Sequence, residues 1–188
     1  IYTSVPVNQH RSSWCGCCYM ISVLQMIQDR IHVQIGKKNN NTEYMNPWVK
    51  IDAQQMLNDY QRYKGPYTPQ WNACRGGIPL SVLSAIENEK CLLTFEKLDW
   101  LGYPDKIFSD KTDFNVKISN STRIISNKKD MMQDMVKKSI LEYGPVVLSI
   151  NAQILKELNA HGMVINYENA KIPNHAVTVV GWVKRSNI

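Results

Sequence analysis

The stretch between residues 18 and 33 constrains the fold of this chain more than any other feature of the sequence. Met20, Leu24, Ile27 and Ile31 recur at helical spacing, and positions 21, 23 and 26 add apolar side chains on the remaining faces. A helix that is apolar almost all round cannot face water. We therefore expect this helix to be buried at the centre of the protein.

The first half of the chain predicts helices, and the second half adds strands. Ser12 and Ser13 can cap the first helix and Gly36 can end it, and further helices are predicted at about 52–63, 79–89 and 130–143. The side chains expected to face inward from the last helix are Met131, Met135, Ile140 and Leu141. Strand patterns cover residues 115–125, 146–150, 163–167 and 176–182. This order indicates an α+β protein of two lobes, 1–100 and 101–188, with the boundary near 90–105 and a ligand cleft between them.

Charge and hydropathy argue against two classes of partner. The formal net charge is +6, but Lys and Arg are spread along the chain, and the densest clusters, around residues 37–38 and 128–129, hold two charges each. Such pairs are typical of solvated faces, so we do not expect a nucleic-acid surface. No apolar run approaches the ~20 residues of a membrane span, and we expect any targeting segment to be removed or never present, since none precedes Tyr2 in the given residues.

The chain has five cysteines, an odd number that cannot pair completely within one chain. Cys15, Cys17 and Cys18 lie close together, and Cys74 follows at a distance. This pattern suggests an oxidising compartment together with a working thiol, and the sequons at 40–42 and 120–122 are compatible with secretion. A zinc site on these four cysteines is disfavoured, because adjacent cysteines rarely both fit tetrahedral geometry and no second Cys-x-x-Cys pair exists. We predict no metal and no cofactor.

Cys18 and His175 are the best candidates for chemistry. Cys18 opens the buried helix, where unpaired backbone N–H groups and the helix dipole favour the nucleophilic thiolate. His175 opens a β-branched strand, and a neutral imidazole there can take the thiol proton. Each residue alone is more often structural, as a buried hydrophobe or a core histidine. A helix-opening cysteine combined with a strand-opening histidine is rarer by chance.

Four segments, in order along the chain, together resemble the papain-like cysteine proteases. Residues 8–19 (NQHRSSWCGCCY) resemble the active-site signature of that family, and residues 74–79 (CRGGIP) are similar to the segment that lines its substrate groove. Residues 143–146 (YGPV) are similar to its helix-to-strand junction. Residues 174–177 (NHAV), followed by Gly181-Trp182, are similar to its histidine strand. The resemblance implies a helical left lobe, a β-barrel-like right lobe and a cleft between them.

The resemblance also implies roles for individual residues. Cys18 would be the nucleophile, His175 the acid–base partner and Gln9 an oxyanion donor. The implied substrate-binding residues are Gly16, Gly76, Gly77, Pro79, Ser149 and Ala176, and the implied disulfide joins Cys15 to Cys74. Peptide or protein substrates would be the partners, with a pro-segment or a protein inhibitor as further occupants of the cleft. The implied location is secreted, lysosomal or another oxidising compartment, or a viral particle.

Two details refine this picture and two depart from it. The long stretch from Gln9 to Cys15, which begins with His10, resembles the cathepsin X (cathepsin Z) branch, where a mini-loop histidine holds the C-terminal carboxylate of a peptide and makes the enzyme a carboxypeptidase. The similarity extends to the flanking residues 2–5 and 29–31. Cys17 replaces the usual Ser or Ala, which is either a neutral substitution or a route to oxidative inactivation. No Asn-Ser-Trp-Gly segment follows the histidine strand in the given sequence, through either truncation or loss, and the alternative function is an inactive scaffold that binds peptides or proteins.

Overall fold

The computed structural model describes residues 8–9, 14–38, 50–66, 68, 71–94, 117–157 and 172–183. Its elements are α1 (Cys18–Lys38), α2 (Ala53–Lys64), α3 (Pro79–Glu87), α4 (Lys129–Tyr143), β1 (Val146–Ile150), a short 3₁₀ helix (Ala152–Glu157) and β2 (His175–Val179). Helices precede strands along the chain, as the sequence predicts.

Helix α1 lies at the centre of the protein. Tyr19, Met20, Val23 and Leu24 are buried in the main apolar cluster, to which α2 and α3 also contribute. The sheet packs against the same helix, and the Thr178 hydroxyl of β2 donates a hydrogen bond to the carbonyl of Ser22, 3.0 Å away. The prediction of a buried central helix is confirmed.

The C-terminal end of α1 lies beyond the predicted stop. The helix continues through Gly36 to Lys38, although a helical glycine costs about 1 kcal/mol relative to alanine. Contacts with the end of α4 offset this cost. The Lys37 ammonium donates to the carbonyl of Glu142 at 2.7 Å, and the Arg30 guanidinium donates to that of Pro145 at 2.8 Å.

Helices α2 and α3 begin as their local signals predict. The Asp52 carboxylate accepts the backbone N–H of Gln55 at 2.8 Å and caps α2, and Pro79 occupies the first turn of α3. Helix α3 ends at Glu87, two residues before the predicted end at 89, because Glu89 adopts a positive φ of 55° that cannot continue a helix.

Helix α4 forms where it was predicted, but its orientation was predicted wrongly. Met131, Met135 and Leu141, which were expected to face inward, are exposed, and Ile140 is only half-buried. The reason is that α4 is held by its polar end. Lys37 of α1 binds a backbone carbonyl in the last turn of α4, and Arg30 of α1 binds a carbonyl just after that turn. The apolar stripe of α4 is not buried.

Strands β1 and β2 form an antiparallel two-stranded sheet, in which Val146 pairs with Val179 and Ile150 with His175. The prediction for residues 146–150 is confirmed, and the one for 176–182 is shifted to start one residue earlier and end at Val179. The predicted strand at 163–167 lies outside the described residues.

The segment predicted as a strand at 115–125 is irregular over its described part, 117–125. Side chains rather than a strand partner anchor it, since Lys117 pairs with Glu89 at 2.7 Å and the Ser121 hydroxyl donates to Glu87 at 2.9 Å.

A β-barrel-like lobe is not seen in the described residues, whose strands in the second half are β1 and β2 alone. Most of the predicted lobe boundary lies outside them. None of the described helices combines the length and apolar character that crossing a bilayer requires.

Candidate active site

Cys18 is the first residue of α1, and its surroundings fix the start of the helix. The carbonyl of Cys17 accepts the backbone N–H groups of Met20 and Ile21 at 2.9 and 3.0 Å, so the first intrahelical bonds close just before Cys18. The N–H groups of the first turn have no acceptor within a helix and point towards its N-terminal end. The half-buried Cys18 thiol therefore lies where negative charge is favoured.

A disulfide between Cys15 and Cys74 fixes the loop that leads into this helix, as the resemblance implied. Next to it, the Gly16 N–H donates to the carbonyl of Cys74 at 2.7 Å, and Gly16 forms an isolated parallel bridge with Arg75. A side chain at position 16 would place its Cβ 2.7 Å from that carbonyl oxygen. Only glycine allows the two segments to approach so closely.

Gly76 and Gly77 form a wall of backbone beside the nucleophile, and each must be glycine for a different reason. Gly76 has a φ of +91°, a conformation that residues with a Cβ rarely adopt. A Cβ on Gly77 would lie 2.5 Å from the ring of Tyr19. That ring cannot move aside easily, because it is 1% exposed and its hydroxyl donates to the carbonyl of Ala73 at 2.9 Å.

His175 is the first residue of β2 and is half-buried. The preceding residue, Asn174, anchors the start of the strand through two bonds. Its N–H donates to the carbonyl of Ile150 at 2.9 Å, and its side-chain oxygen accepts the N–H of Ala152 at 2.8 Å. The His175 imidazole makes no hydrogen bond to another of the described residues.

These elements enclose a cleft of about 560 Å³. It brings together every predicted catalytic and substrate-binding residue that the structure describes, namely Gln9, Gly16, Cys18, Gly76, Gly77, Pro79, Ser149, His175 and Ala176. His10 lies outside the described residues. Ser149 and Ala176 are direct partners in the sheet, which places both side chains on the same face.

The cleft also has lining residues that sequence reasoning did not assign, among them Trp14, Arg75, Ile78 and Pro173. Each is next to, or two positions from, a residue that was assigned. These residues lie in or beside the motifs, at positions for which the resemblance implies no role. Gln9 was assigned, and its side-chain amide donates to the carbonyl of Cys15 at 3.1 Å, which ties it to the loop before the nucleophile.

Cys17 differs from its neighbour Cys18 in its environment. Its side chain is fully buried in the apolar cluster. Burial, followed by the proximity of Cys18, raises the pKa of the Cys17 thiol to about 12. The thiol therefore stays neutral at physiological pH and packs as a small hydrophobe, which favours the neutral substitution over an oxidation-sensitive site.

The disulfide also bears on the zinc alternative. Cys15 and Cys74 are oxidised in the structure, so neither sulfur is a thiolate ligand. Within the described part of the chain, no cluster of three or more His, Cys, Asp or Glu side chains could hold a metal ion.

The comparisons with known proteins agree with this geometry. A family profile described as "Papain family cysteine protease" matches residues 4–188. Among solved structures, SERA5E from Plasmodium falciparum matches with 16% identity and a TM-score of 0.57, over 89% of this chain and 65% of that chain. A second SERA5E structure matches with 14% identity and a TM-score of 0.58, over 89% and 66%.

This chain thus spans slightly less than two thirds of those relatives, and at such identities the likeness shows the fold alone. No curated protein sequence matches significantly. The family profile covers almost the whole chain and includes both Cys18 and His175. On this ground the chain belongs to the papain family of cysteine proteases.

Proposed function

We propose that this protein is a cysteine peptidase that hydrolyses peptide bonds through a thioester acyl-enzyme. The observation that carries the proposal is the meeting of Cys18, at the start of a helix, and His175, at the start of a strand, in one cleft walled by glycine backbone. A thiolate at a helix N-terminus with an imidazole nearby is the arrangement that activates a cysteine nucleophile.

In the proposed reaction, the sulfur of Cys18 attacks the scissile carbonyl carbon, and His175 holds the proton taken from the thiol. His175 then gives this proton to the leaving amine, which leaves a thioester on Cys18. Water, deprotonated by the same imidazole, hydrolyses the thioester and restores the thiol.

Two donors are proposed to face the negative charge that develops on the carbonyl oxygen. The backbone N–H of Cys18 belongs to the first turn of α1, and the Gln9 amide lines the same cleft. Such donors stabilise the tetrahedral intermediate, and removing one costs on the order of 10²-fold in rate.

Substrate binding is proposed to follow the backbone wall. An extended peptide would pair with the main chain of Gly77, and Gly76 and Gly16 would let it approach closely. The side chain of the residue preceding the one at the cleavage site would enter the pocket lined by Pro79, Ser149 and Ala176. The disulfide further suggests that the protein acts in an oxidising compartment.

The test of the proposed nucleophile is an epoxide affinity label, applied at mildly acidic pH and located by peptide mapping. We expect Cys18 to be labelled in the folded protein and His175→Ala to abolish labelling. Cys17 and Cys91 serve as internal controls, because burial raises the pKa of each thiol to about 12 and keeps both unreactive. Labelling of Cys18 that survives His175→Ala would contradict the proposed pair.

A finer proposal is that the enzyme removes residues from the C-terminus of peptides. It is supported by the resemblance of the segment from Gln9 to Cys15 to the cathepsin X mini-loop, and by the position of Gln9, the residue before His10, in the cleft lining. A histidine donor beside the cleft can bind a terminal carboxylate.

Mass spectrometry of a digested test peptide checks this finer proposal. We expect a ladder of products shortened one residue at a time from the C-terminus, and a peptide amidated at that end should resist cleavage. His10→Ala should lower the rate on the free acid about tenfold and leave internal cleavage unaffected. Equal cleavage of the free and amidated peptides would exclude carboxypeptidase action.

A second candidate function is peptide binding without catalysis. The observation in its favour is that the His175 imidazole has no hydrogen-bond partner among the described residues to fix its tautomer. Catalytic hydrogen bonds often form only with substrate present, so this geometry alone does not exclude an active enzyme. A folded protein that binds peptides but is neither labelled nor hydrolytic would establish the second candidate.

A further inference from the structure

One residue stands out by its charge among the described residues that line the cleft. Among the described residues that line it, Arg75 alone carries a permanent charge, and the lining includes no aspartate or glutamate. Arg75 is exposed, and no ion pair joins its guanidinium to a described carboxylate. The cleft therefore presents a cation without a counter-charge in the part of the chain that the structure describes.

The backbone of Arg75 is held rigidly at this position. Its N–H donates to the carbonyl of Asn72 at 3.0 Å, and it forms the isolated bridge to Gly16. It also directly follows Cys74 of the disulfide and directly precedes Gly76. The side chain thus starts from a fixed point on the wall along which a peptide would lie.

Two large, exposed apolar side chains line the cleft together with Arg75. Trp14 and Ile78 line the same cleft and are 73% and 64% exposed. Beside such a surface, a planar guanidinium binds a carboxylate through two parallel hydrogen bonds, whereas it repels a lysine or arginine side chain. The overall charge of +6 also attracts acidic peptides towards the protein before contact.

We propose that Arg75 selects peptides with an acidic side chain next to the segment bound along Gly76 and Gly77. This inference rests on the proposed peptidase function and names its substrate class. The ligand is the carboxylate of a glutamate or aspartate side chain, and the adjoining peptide residues that pack on Trp14 and Ile78 are apolar.

The experiment uses a series of acetylated peptides with a free C-terminus, which stays constant so that the side chain supplies the only carboxylate that varies. Glutamate replaces glutamine at one position at a time, and kcat/KM is measured for each pair. We expect glutamate to be favoured about 2- to 5-fold at one position, the range that exposed ion pairs reach. The preference should decrease at high salt.

Variants assign the preference to a residue. Arg75→Gln should remove the difference between glutamate and glutamine, and Arg75→Glu should favour lysine at the same position. Arg123→Gln removes the same charge from an exposed site that does not line the cleft, and it should preserve the glutamate preference. Equal rates for every pair in the wild-type protein, or a preference that survives Arg75→Gln, would overturn the proposal.

The same peptides separate this inference from the proposed function. If no peptide is hydrolysed, fluorescence anisotropy with labelled peptides measures binding to the same proteins. Tighter binding of the glutamate peptide, lost in Arg75→Gln, would support the role of Arg75 in a protein that is not a peptidase. Equal dissociation constants would overturn that role, whether or not hydrolysis occurs.

Discussion

Replacing Cys18 by alanine is expected to lower kcat/KM for peptide hydrolysis by on the order of 10⁴-fold or more, down to the background of the assay. The reason is that the acyl-enzyme route needs a nucleophile, and the neighbouring cysteines Cys15 and Cys17 cannot supply one. Cys17 is buried and neutral, and Cys15 is oxidised in the disulfide. A fluorogenic peptide assay measures the loss, and thermal unfolding shows whether the variant is folded.

Cys17→Ala is the matched control for this variant. It removes the neighbouring thiol in the same turn of chain but leaves the cleft lining intact. We expect a modest loss of stability from the small cavity and activity within a few-fold of the wild type. If Cys18→Ala retained activity, or if Cys17→Ala lost it to the same extent, the assignment of the nucleophile would be wrong.

The second large effect concerns the disulfide. The double variant Cys15→Ala/Cys74→Ala should lower the free energy of unfolding by about 4 kcal/mol, since the bond closes a loop with a sequence separation of 59. Chemical denaturation under non-reducing conditions measures this change as a lower midpoint. Activity should fall as well, because the bond holds Gly16 and the backbone wall beside Cys18.

Cys91→Ala is the control for this loss. Cys91 is buried and is not in a disulfide, so the variant removes one sulfur without opening a loop. Its destabilisation should be smaller and should not depend on reducing agent. A double variant that is as stable as Cys91→Ala would show that the cross-link adds little to stability.

The helices were predictable because their signals are local. Asp52 caps α2, Pro79 opens α3 and Gly144 closes α4 wherever the rest of the chain lies. The continuation of α1 through Gly36 was not predictable, because it depends on a hydrogen bond from Lys37 to the end of α4, which lies more than 100 residues away in the sequence. The irregular segment at 117–125 has strand-like alternation, but a strand also needs a partner, which sequence alternation cannot reveal.

The candidate site was predictable as far as its fixed motif positions. Cys18, Gly77 and His175 could be assigned from the sequence because their segments resemble those of a known family. All three line one cleft in the structure. Arg75 was missed because it occupies the variable position of its motif, where the resemblance implies no role. Its importance emerges only from the charges of the other lining residues, which come from distant parts of the sequence and are brought together by folding.

The hydrogen bond from Thr178 to Ser22 has a consequence for how this molecule can vary. Ser22 lies one helical turn after Cys18, and its own hydroxyl donates to the carbonyl of Cys18 at 2.8 Å. Thr178 belongs to the short strand that His175 opens. The spacing of thiol and imidazole is thus inherited from a helix–sheet contact outside the cleft. Substitutions at that contact would change this spacing, and with it the turnover, without changing the identity of any residue that lines the cleft.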